Sequence, residues 1–326
     1  MTSEKILVYL KNISANLGIN DVSKAKISKI GKGDYNINYH IQIGNRNLLL
    51  RLNIESQSGL ANQIVYEYKT LQFLEQYGIA PSPIYLDDSK KHFPYGLLIE
   101  EFISGNELIF SIDSIKRTAK TIAKLHNAPI KNQDFMKWED PLREQYNQAK
   151  DDLEKYKKRK VRNEELISLG SDFLTKFEKN LSNFKKDYIP RSLTHTDLNP
   201  ANIIDNGREV YLLDWEKARI DDPSYDVAIF FSKLLNLWAS PRVLTAEEKK
   251  AFLDVYINET NDKTIEERIQ NRLILYTLHG VFWAAQRLSD VEESVIDKNL
   301  GDQNYERYKK FADLEELKKL IEIAPH

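Results

Sequence analysis

Two neighbouring stretches, HTDLNPANII at residues 195–204 and YLLDWEKARIDDPSYDVAIFF at residues 211–231, decide which fold this sequence can form. The first stretch places His195, Asp197 and Asn202 in one short polar turn, and the second ends an apolar run at Asp214. Polar groups that are held together in this way are costly to bury unless partners satisfy them or chemistry uses them. The pattern therefore indicates a functional site that draws its groups from two segments.

Length and composition are those of an ordinary globular protein with two lobes. The 326 residues exceed the size at which a single hydrophobic core stops growing, about 250–300 residues. Hydrophobic residues make up 41% of the chain and charged residues 29%, which excludes the disordered and fibrous classes. A net charge of −2 gives no overall field that would favour nucleic acid or an anionic membrane surface. We expect neither as a partner, and the oligomeric state stays open.

The residue types that are missing limit the chemistry and the location. The chain contains no cysteine, so disulfides, thiolate metal sites and a thiol nucleophile are excluded. The N-terminal stretch lacks the continuous apolar core of a secretory signal. No run approaches the roughly 18–20 apolar residues that span a bilayer. We therefore expect a cytoplasmic protein.

Hydrophobic periodicity divides the chain into a strand-rich half and a helical half. Residues 26–53 contain three alternating pieces joined by short polar turns, which is typical of consecutive antiparallel strands. A helical period follows over residues 60–77 and ends at Gly78, and PIYLDD and YGLLIEEF add two more strands. The remaining pattern is mostly helical and includes a long charged segment over residues 140–184.

These elements predict an α+β fold with two lobes. The N-terminal lobe, residues 1–103, is expected to carry an antiparallel five-stranded sheet with a helix and to end in a hinge. The C-terminal lobe, residues 104–326, is expected to be mostly helical. It should contain the polar turn at residues 195–202 and a walled pocket for a small substrate.

The spacing H-x-D-x-x-x-x-N of His195, Asp197 and Asn202 is that of a kinase catalytic loop. In such a loop the Asp accepts the proton of the attacking hydroxyl and the Asn binds a metal ion. Phosphoryl transfer calls for Mg²⁺, which prefers oxygen ligands, and Asp214 at the end of VYLLD supplies a carboxylate. Glu216 adds a second carboxylate for a direct or water-mediated metal contact. The first motif alone would also suit a turn whose polar side chains cap backbone groups.

Together, HTDLNPANII and LLDWEKARIDDPSYDVAIFF resemble the aminoglycoside phosphotransferase and choline kinase superfamily of small-molecule kinases, whose fold is similar to that of protein kinases. The resemblance covers nearly the whole chain and is strongest in residues 190–232. It implies ATP and Mg²⁺ as cofactors, His195 and Asp197 as catalytic residues, and Asp226 as a brace of the catalytic loop. A simple helix N-terminal position, favoured by the helix dipole, would also explain Asp226.

The N-terminal half fits the same resemblance. Gly31 and Gly33 stand where the family places a flexible turn over the nucleotide phosphates, although a plain hairpin turn would use them as well. Arg51 occupies the phosphate-contacting position of the third strand, as in choline kinase-like members, and Glu67 would pair with it. The hinge, whose backbone should bind the adenine edge, corresponds to Ile99, Glu100, Glu101, Phe102 and Ile103.

The sequence favours a small-molecule acceptor over a protein acceptor. Eleven residues separate Asp214 from Asp226, too few for an activation loop, and no A-P-E motif follows. Residues 195–226 include eight acidic and three basic residues, an excess that would favour a cationic aminoalcohol or an aminoglycoside. We expect Asp222 and Trp283 to contact this substrate. Trp283 resembles the second Trp of the choline kinase W-x-x-W helix, but Gly280 stands at the first position, and a buried helix site would also suit Trp283.

A nucleotide-binding pseudokinase or regulatory scaffold is the alternative outside the enzymes. It predicts the loss of the base, the Asn or the metal-binding Asp, whereas Asp197, Asn202 and Asp214 are all present. The sequence therefore favours a phosphotransferase that moves the γ-phosphoryl group of Mg-ATP to a hydroxyl of a small molecule.

Overall fold

The computed structural model describes residues 2–32, 36–56, 59–131, 134–184, 187–293, 298–312 and 314–322. The chain divides into two compact units. The first comprises Met1–Leu108 and Ala201–Ala218, and the second comprises Ile109–Pro200 and Arg219–His326. Residues 201–218 therefore belong with the N-terminal strands, whereas the sequence pattern predicts a single boundary after residue 103.

An antiparallel five-stranded sheet dominates the first unit, which confirms the predicted fold class. Its strands follow the order β1-β2-β3-β5-β4, and all neighbouring pairs in it are antiparallel. The strands are β1 Lys26–Lys32, β2 Asn36–Ile43, β3 Arg46–Asn53, β4 Pro83–Asp87 and β5 Gly96–Glu101.

Strand alternation gives this sheet one apolar face and one partly polar face. Leu48, Leu50 and Ile99 lie in a core cluster that also contains residues of helix α1, Ser3–Ile13. Arg51 and Glu100 occupy alternate positions on the neighbouring strands β3 and β5. Because side chains alternate along a strand, these two charged residues share the face opposite the apolar core.

Helix α2, Gln63–Leu74, follows the third strand and continues into a 3₁₀ turn at Glu75–Tyr77. Asn62 caps its N-terminus, because its side chain accepts a hydrogen bond from the backbone N–H of Val65. Gly78 ends it in the left-handed conformation, with a φ of 60°. The helix predicted over residues 60–77 therefore exists but begins later, where the cap fixes its start.

A smaller sheet in the first unit has the order β6-β8-β9. Its strands are β6 Asn106–Glu107, β8 Ile203–Asp205 and β9 Val210–Leu212. The last two form an antiparallel hairpin in which Ile203 pairs with Leu212. The strand predicted before Asp214 is therefore present, and it belongs to this hairpin.

The second unit is mostly helical, as predicted. Its strands β7, Ser192–Thr194, and β10, Arg219–Asp221, pair in an antiparallel manner. Its helices are α3 Ile112–His126, α4 Pro141–Lys157, α5 Glu164–Phe184, α6 Ser224–Phe231, α7 Lys233–Ala239, α8 Ala246–Thr260, α9 Ile265–Glu292, α10 Lys298–Phe311 and α11 Leu314–Glu322.

A shared hydrophobic core joins the long helices of the second unit. It includes Tyr146 of α4, Phe177 of α5 and Phe282 of α9. The charged segment over residues 140–184 forms two helices, with a break at residues 158–163. Within the described ranges, no helix combines the length and the apolar character needed to cross a membrane.

Candidate active site

Two of the three side chains predicted to bind metal, Asn202 and Asp214, lie at the same end of the β8–β9 hairpin. The backbone N–H of Leu213 donates a hydrogen bond of 2.8 Å to the carbonyl of Asn202, which extends the strand pairing by one step. Asp214 follows directly and has a φ of 70°, a left-handed conformation that is uncommon for a residue other than glycine. The hairpin therefore brings the amide of Asn202 and the carboxylate of Asp214 into one neighbourhood.

Arg51 links strand β3, helix α2 and Asp214. One guanidinium nitrogen, Nη1, lies 2.7 Å from Oε1 of Glu67 and 2.5 Å from Oδ1 of Asp214. Arg51 and Glu67 are almost fully buried, whereas the Asp214 side chain is 28% exposed. The predicted Arg51–Glu67 pair is therefore present in the structure. Its contact with Asp214 was not predicted.

Burial and charge shift the pKa values in this cluster. Burial alone would lower the pKa of Arg51, but the carboxylates of Glu67 and Asp214 raise it well above its ordinary value. Burial raises the pKa of Glu67, and the Arg51 guanidinium works against that rise. Burial also raises the pKa of Glu100 to about 7, with Arg51 again opposing the shift. Arg51 thus offsets the negative charge of several carboxylates.

Glu216 is held inside the first unit by two side-chain amides. Its Oε2 atom accepts a hydrogen bond of 2.8 Å from Nδ2 of Asn36 and another from Nε2 of Gln63. Burial, and then the charge of Asp214, raise the pKa of Glu216. The structure thus shows a buried hydrogen-bond acceptor at the position for which the sequence predicts a second metal-binding carboxylate.

The predicted hinge has some of its backbone groups already engaged. The N–H of Glu101 donates to the carbonyl of Ser82, and the N–H of Phe102 donates to the carbonyl of Asn47. The ring of Phe102 stacks on His40, with 4.1 Å between ring centroids. The prediction that this backbone binds the adenine edge stays a prediction.

The predicted glycine turn is described only at its first residue. Gly31 ends an irregular stretch of the β1–β2 pairing, where it opposes Asn38. Gly33 lies outside the described residues. The prediction that these glycines bind phosphate therefore stays a prediction.

In the second unit, Asp226 braces the loop that follows β7. Its Oδ2 atom accepts a hydrogen bond of 2.7 Å from the N–H of His195, and Oδ1 accepts one of 2.8 Å from the N–H of Thr196. His126 contributes through Nε2, 3.1 Å from Oδ2. Burial alone would raise the pKa of Asp226, but the contacts with His126 and His195 lower it. Asp226 thus binds the backbone of the loop, and its role in catalysis stays a prediction.

The same loop carries Asp197, the predicted base. Its backbone N–H donates to Nδ1 of His195 at 3.2 Å, so His195 serves as a hydrogen-bond acceptor within the loop. Nδ2 of Asn199 lies 3.3 Å from Oδ1 of Asp197. Asp197 is half-buried, so its carboxylate combines fixed hydrogen-bond partners with access to solvent.

A row of aromatic rings lies in the second unit and was not predicted. Centroid distances are 5.6 Å between Trp138 and Tyr225, 6.3 Å between Tyr225 and Tyr276, and 6.2 Å between Tyr276 and His279. Burial, and then the charge of Asp197, raise the pKa of Tyr276 well above its ordinary value. The single signal in the sequence is the spacing of Tyr276 and His279, one turn apart on a helix.

Asp222, predicted to contact substrate, is instead a structural residue. It is fully buried, and its Oδ1 accepts hydrogen bonds from the N–H of Ser224 and from Nε of Arg268, at 3.0 and 3.1 Å. Oδ2 accepts from the N–H of Ile189 at 3.2 Å. Because protein groups use both oxygens, this carboxylate holds the start of α6 against α9 and does not face a substrate.

Trp283, the other residue predicted to contact substrate, packs against the hydrophobic core. It lies among the partly buried residues beside the core of the second unit. Its ring meets Tyr308 edge to face, with 5.4 Å between centroids. Next to it on α9, a Cβ atom added to Gly280 would lie 3.7 Å from the Phe311 ring. Phe311 of α10 therefore lies beside Gly280, the position that corresponds to the first Trp of the W-x-x-W motif.

The donor set suits magnesium chemically. Asn202 and Asp214 offer amide and carboxylate oxygens, which are the ligands that Mg²⁺ prefers. Among the described residues, no group of three or more His, Cys, Asp or Glu side chains is arranged to hold a metal ion by itself.

Comparison with known proteins identifies the family. The model of the phosphotransferase enzyme family matches residues 26–263, so the chain belongs to this family of small-molecule phosphotransferases. The LicA homolog of Mycoplasma capricolum is 24% identical over 270 residues, which are 82% of this chain and 96% of that protein. The family resemblance inferred from the sequence motifs is therefore confirmed, and so is the prediction that the protein is an enzyme.

Solved structures show the same fold. The choline kinase of Cryptosporidium parvum matches with a TM-score of 0.65 and 19% identity, over 98% of this chain and 97% of that one. A spectinomycin phosphotransferase, solved with ADP and spectinomycin, matches with a TM-score of 0.64 and 15% identity, over 99% and 98% of the two chains. At these identities the likeness concerns the fold alone.

Proposed function

We propose that the protein transfers the γ-phosphoryl group of ATP, with Mg²⁺, to a hydroxyl of a small cationic aminoalcohol. The observation that carries this proposal is the 2.5 Å contact between Arg51 and Asp214. It puts a cation able to bind phosphate beside a carboxylate able to bind Mg²⁺. Binding of a nucleoside triphosphate with its metal ion requires at least such a pair.

The residues of this chain divide the chemistry among them. The acceptor oxygen forms a bond to the γ-phosphorus, the bond to the β,γ-bridging oxygen breaks with its electron pair leaving on ADP, and the hydroxyl proton passes to Asp197. Arg51 would bind phosphate oxygens through its guanidinium N–H groups. Mg²⁺, held by oxygens of Asn202 and Asp214, would neutralise phosphate charge. Asp226 keeps the backbone that presents Asp197 in place.

The choice of a cationic acceptor is supported by the surroundings of Asp197. Besides burial, the charge of Asp197 helps to raise the pKa of Tyr276. Tyr276 has His279 and Tyr225 as ring neighbours. The Tyr225 ring already has the guanidinium of Arg219 4.3 Å from its centroid. Aromatic faces together with a carboxylate attract ammonium groups, including quaternary ones that cannot donate hydrogen bonds. A choline kinase among the proteins with this fold points the same way. An aminoalcohol therefore fits these groups better than a neutral sugar.

An assay of ADP formation tests the proposal. Purified protein with Mg-ATP would be tested against choline, ethanolamine, an aminoglycoside and a neutral alcohol, and we expect ADP with an aminoalcohol. Asp197→Asn should lower kcat by about 10²–10⁴-fold with that acceptor, because it removes the base. Asp254→Asn, at an exposed position of α8, is the matched control and should retain activity. Nucleotide binding without turnover on any acceptor would favour the pseudokinase alternative.

A further inference from the structure

We infer that Glu216 anchors the Asp214–Ala218 segment within the first unit. Gln63 and Asn36 bind Glu216, Tyr66 binds Ala218, and these three residues position the segment for phosphoryl transfer. This inference rests on the proposed function and assigns roles to residues that no motif contains. Gln63, Asn36 and Tyr66 are positioning residues, since they act on Asp214 through the backbone of the segment.

Two donors converge on one oxygen of Glu216. Nδ2 of Asn36 and Nε2 of Gln63 both donate to Oε2, the first at 2.8 Å. Gln63 and Glu216 are 2% and 3% exposed, and hydrogen bonds to a buried carboxylate are among the stronger ones in proteins. A cation at this oxygen would compete with two N–H groups that already point at it. The Oε2 atom of Glu216 is therefore engaged within the protein, which is the anchoring role.

Helix α2 reaches the segment through three of its residues, two directly and one through Arg51. Gln63 donates to Glu216, and the hydroxyl of Tyr66 donates to the backbone carbonyl of Ala218. Glu67 binds Arg51, which in turn binds Asp214. Residues three or four apart lie on one face of a helix, so a single face of α2 controls positions 214, 216 and 218.

Asn36 connects the anchor to the base of the predicted phosphate turn. It is the first residue of β2 and follows the stretch that contains Gly31 and Gly33. Nδ2 of Asn53 donates to Oδ1 of Asn36 at 3.0 Å, which fixes the Asn36 amide with its NH₂ group toward Glu216. Through this chain of amides, strands β2 and β3 share the control of Asp214 with α2.

A swap of donor and acceptor tests the anchor. Gln63→Glu alone puts two carboxylates face to face in a buried site and should raise the Mg²⁺ concentration for half-maximal activity and KM for ATP by about tenfold or more. Glu216→Gln alone should stay within about threefold of wild type, because the amide oxygen still accepts both donors. The double variant Gln63→Glu with Glu216→Gln restores one carboxylate opposite one amide but turns the NH₂ group of the new amide at position 216 toward Nδ2 of Asn36, so it should recover only part of the loss.

A second readout does not depend on turnover. The rise in Tm caused by ADP would be measured with and without Mg²⁺ for each variant. Gln63→Glu should lose the Mg²⁺-dependent part of that rise, and the double variant should regain part of it. Tyr66→Phe, which removes the hydroxyl bound to Ala218, should show a smaller loss in the same direction. Tyr68→Phe on the same helix is the matched control and should behave as wild type.

The outcomes separate this inference from the proposed function. If wild type shows neither ADP formation nor a Tm response to ADP, the proposed function fails. A second outcome is that wild type responds, but Glu216→Gln alone raises the Mg²⁺ concentration for half-maximal activity by about tenfold or more and the double variant does not lower it again. Glu216 is then a metal ligand, and the anchor is refuted. If Gln63→Glu and Tyr66→Phe both behave as wild type, the anchor is refuted as well.

Discussion

The carboxylate of Asp226 accepts hydrogen bonds from two consecutive backbone N–H groups, one of which belongs to Thr196. Thr196 has a φ of 71°. This conformation is unfavourable for a β-branched residue and costs about 1–3 kcal/mol. The loop therefore holds a strained turn one residue before Asp197. Asp226 supplies the contacts that keep this turn in place.

Asp226→Asn should disrupt the loop. The variant replaces one of the two accepting oxygens by an NH₂ group, which leaves a buried backbone N–H without an acceptor and lowers the free energy of unfolding by about 1–3 kcal/mol. We also expect kcat to fall by at least about tenfold, because Asp197 moves with the loop. Steady-state kinetics and urea unfolding would measure the two effects.

Asp113 provides the control for a simple helix-dipole effect. It is an acidic residue in the first turn of α3, as Asp226 is in the first turn of α6. Asp113→Asn should change the free energy of unfolding by less than about 1 kcal/mol and leave kcat unchanged. Equal effects of the two substitutions would contradict the bracing role.

Arg51→Met should destabilise the first unit and abolish nucleotide binding. Removing the guanidinium leaves the buried carboxylate of Glu67 without its partner, which should lower the free energy of unfolding by about 3–5 kcal/mol. The double variant Arg51→Met with Glu67→Met removes both charges and should recover much of this stability. It should not recover ADP binding, which calorimetry would measure. Recovery of binding in the double variant would show that Arg51 does not contact phosphate.

Stability should depend on pH through Glu100. Burial raises its pKa from 4.5 to about 7 in the folded protein, so the folded state binds the proton more tightly than the unfolded state. Its contribution to stability is therefore full below pH 4.5 and lost as the pH rises through about 7. Glu100→Gln should raise Tm relative to wild type at pH 8 more than at pH 5. Thermal unfolding at both pH values would show this difference.

Glu101→Gln is the control for the pH experiment, since it removes a carboxyl from the next, exposed position of β5. It should change Tm by a similar small amount at both pH values. If the effect of Glu100→Gln is the same at pH 5 and pH 8, Glu100 does not titrate in this range.

Tyr276→Ala should weaken binding of a cationic acceptor. A lost cation-π contact would raise KM for choline by about 3–30-fold, with little change in KM for ATP. The neutral analogue 3,3-dimethylbutanol carries no charge, so its KM should respond much less. Trp283→Ala is the contrasting variant. It removes packing against Tyr308, and we expect it to lower Tm without changing the KM for choline.

Periodicity and motif spacing were sufficient for the sheet, the helix after it and the catalytic loop, because these are encoded in neighbouring residues. They could not reveal the contact of Arg51 with Asp214, which joins residues 163 positions apart. The same holds for the hydrogen bond of Asn36 to Glu216, across 180 positions. Side-chain contacts of this kind depend on how elements pack, which local pattern does not specify.

The prediction for Asp222 failed for a related reason. An excess of acidic residues around the motif suggested a surface that attracts cations, but the count did not distinguish buried carboxylates from accessible ones. Asp222 is matched by Arg268 of α9, which lies 46 residues further along the chain. A charge count predicts an electrostatic field only when the partners of each charge are known.

Because residues 201–218 complete the first unit, that unit cannot finish folding while the chain is being synthesised until residue 218 has left the ribosome. The first five strands pair with one another, whereas β6 must wait for its partner β8 during the translation of about a hundred further residues. A fragment that stops at Leu108 lacks β8, β9 and Asp214. Shorter expression fragments of this protein should therefore aggregate, and any dissection of it should keep residues 1–218 together.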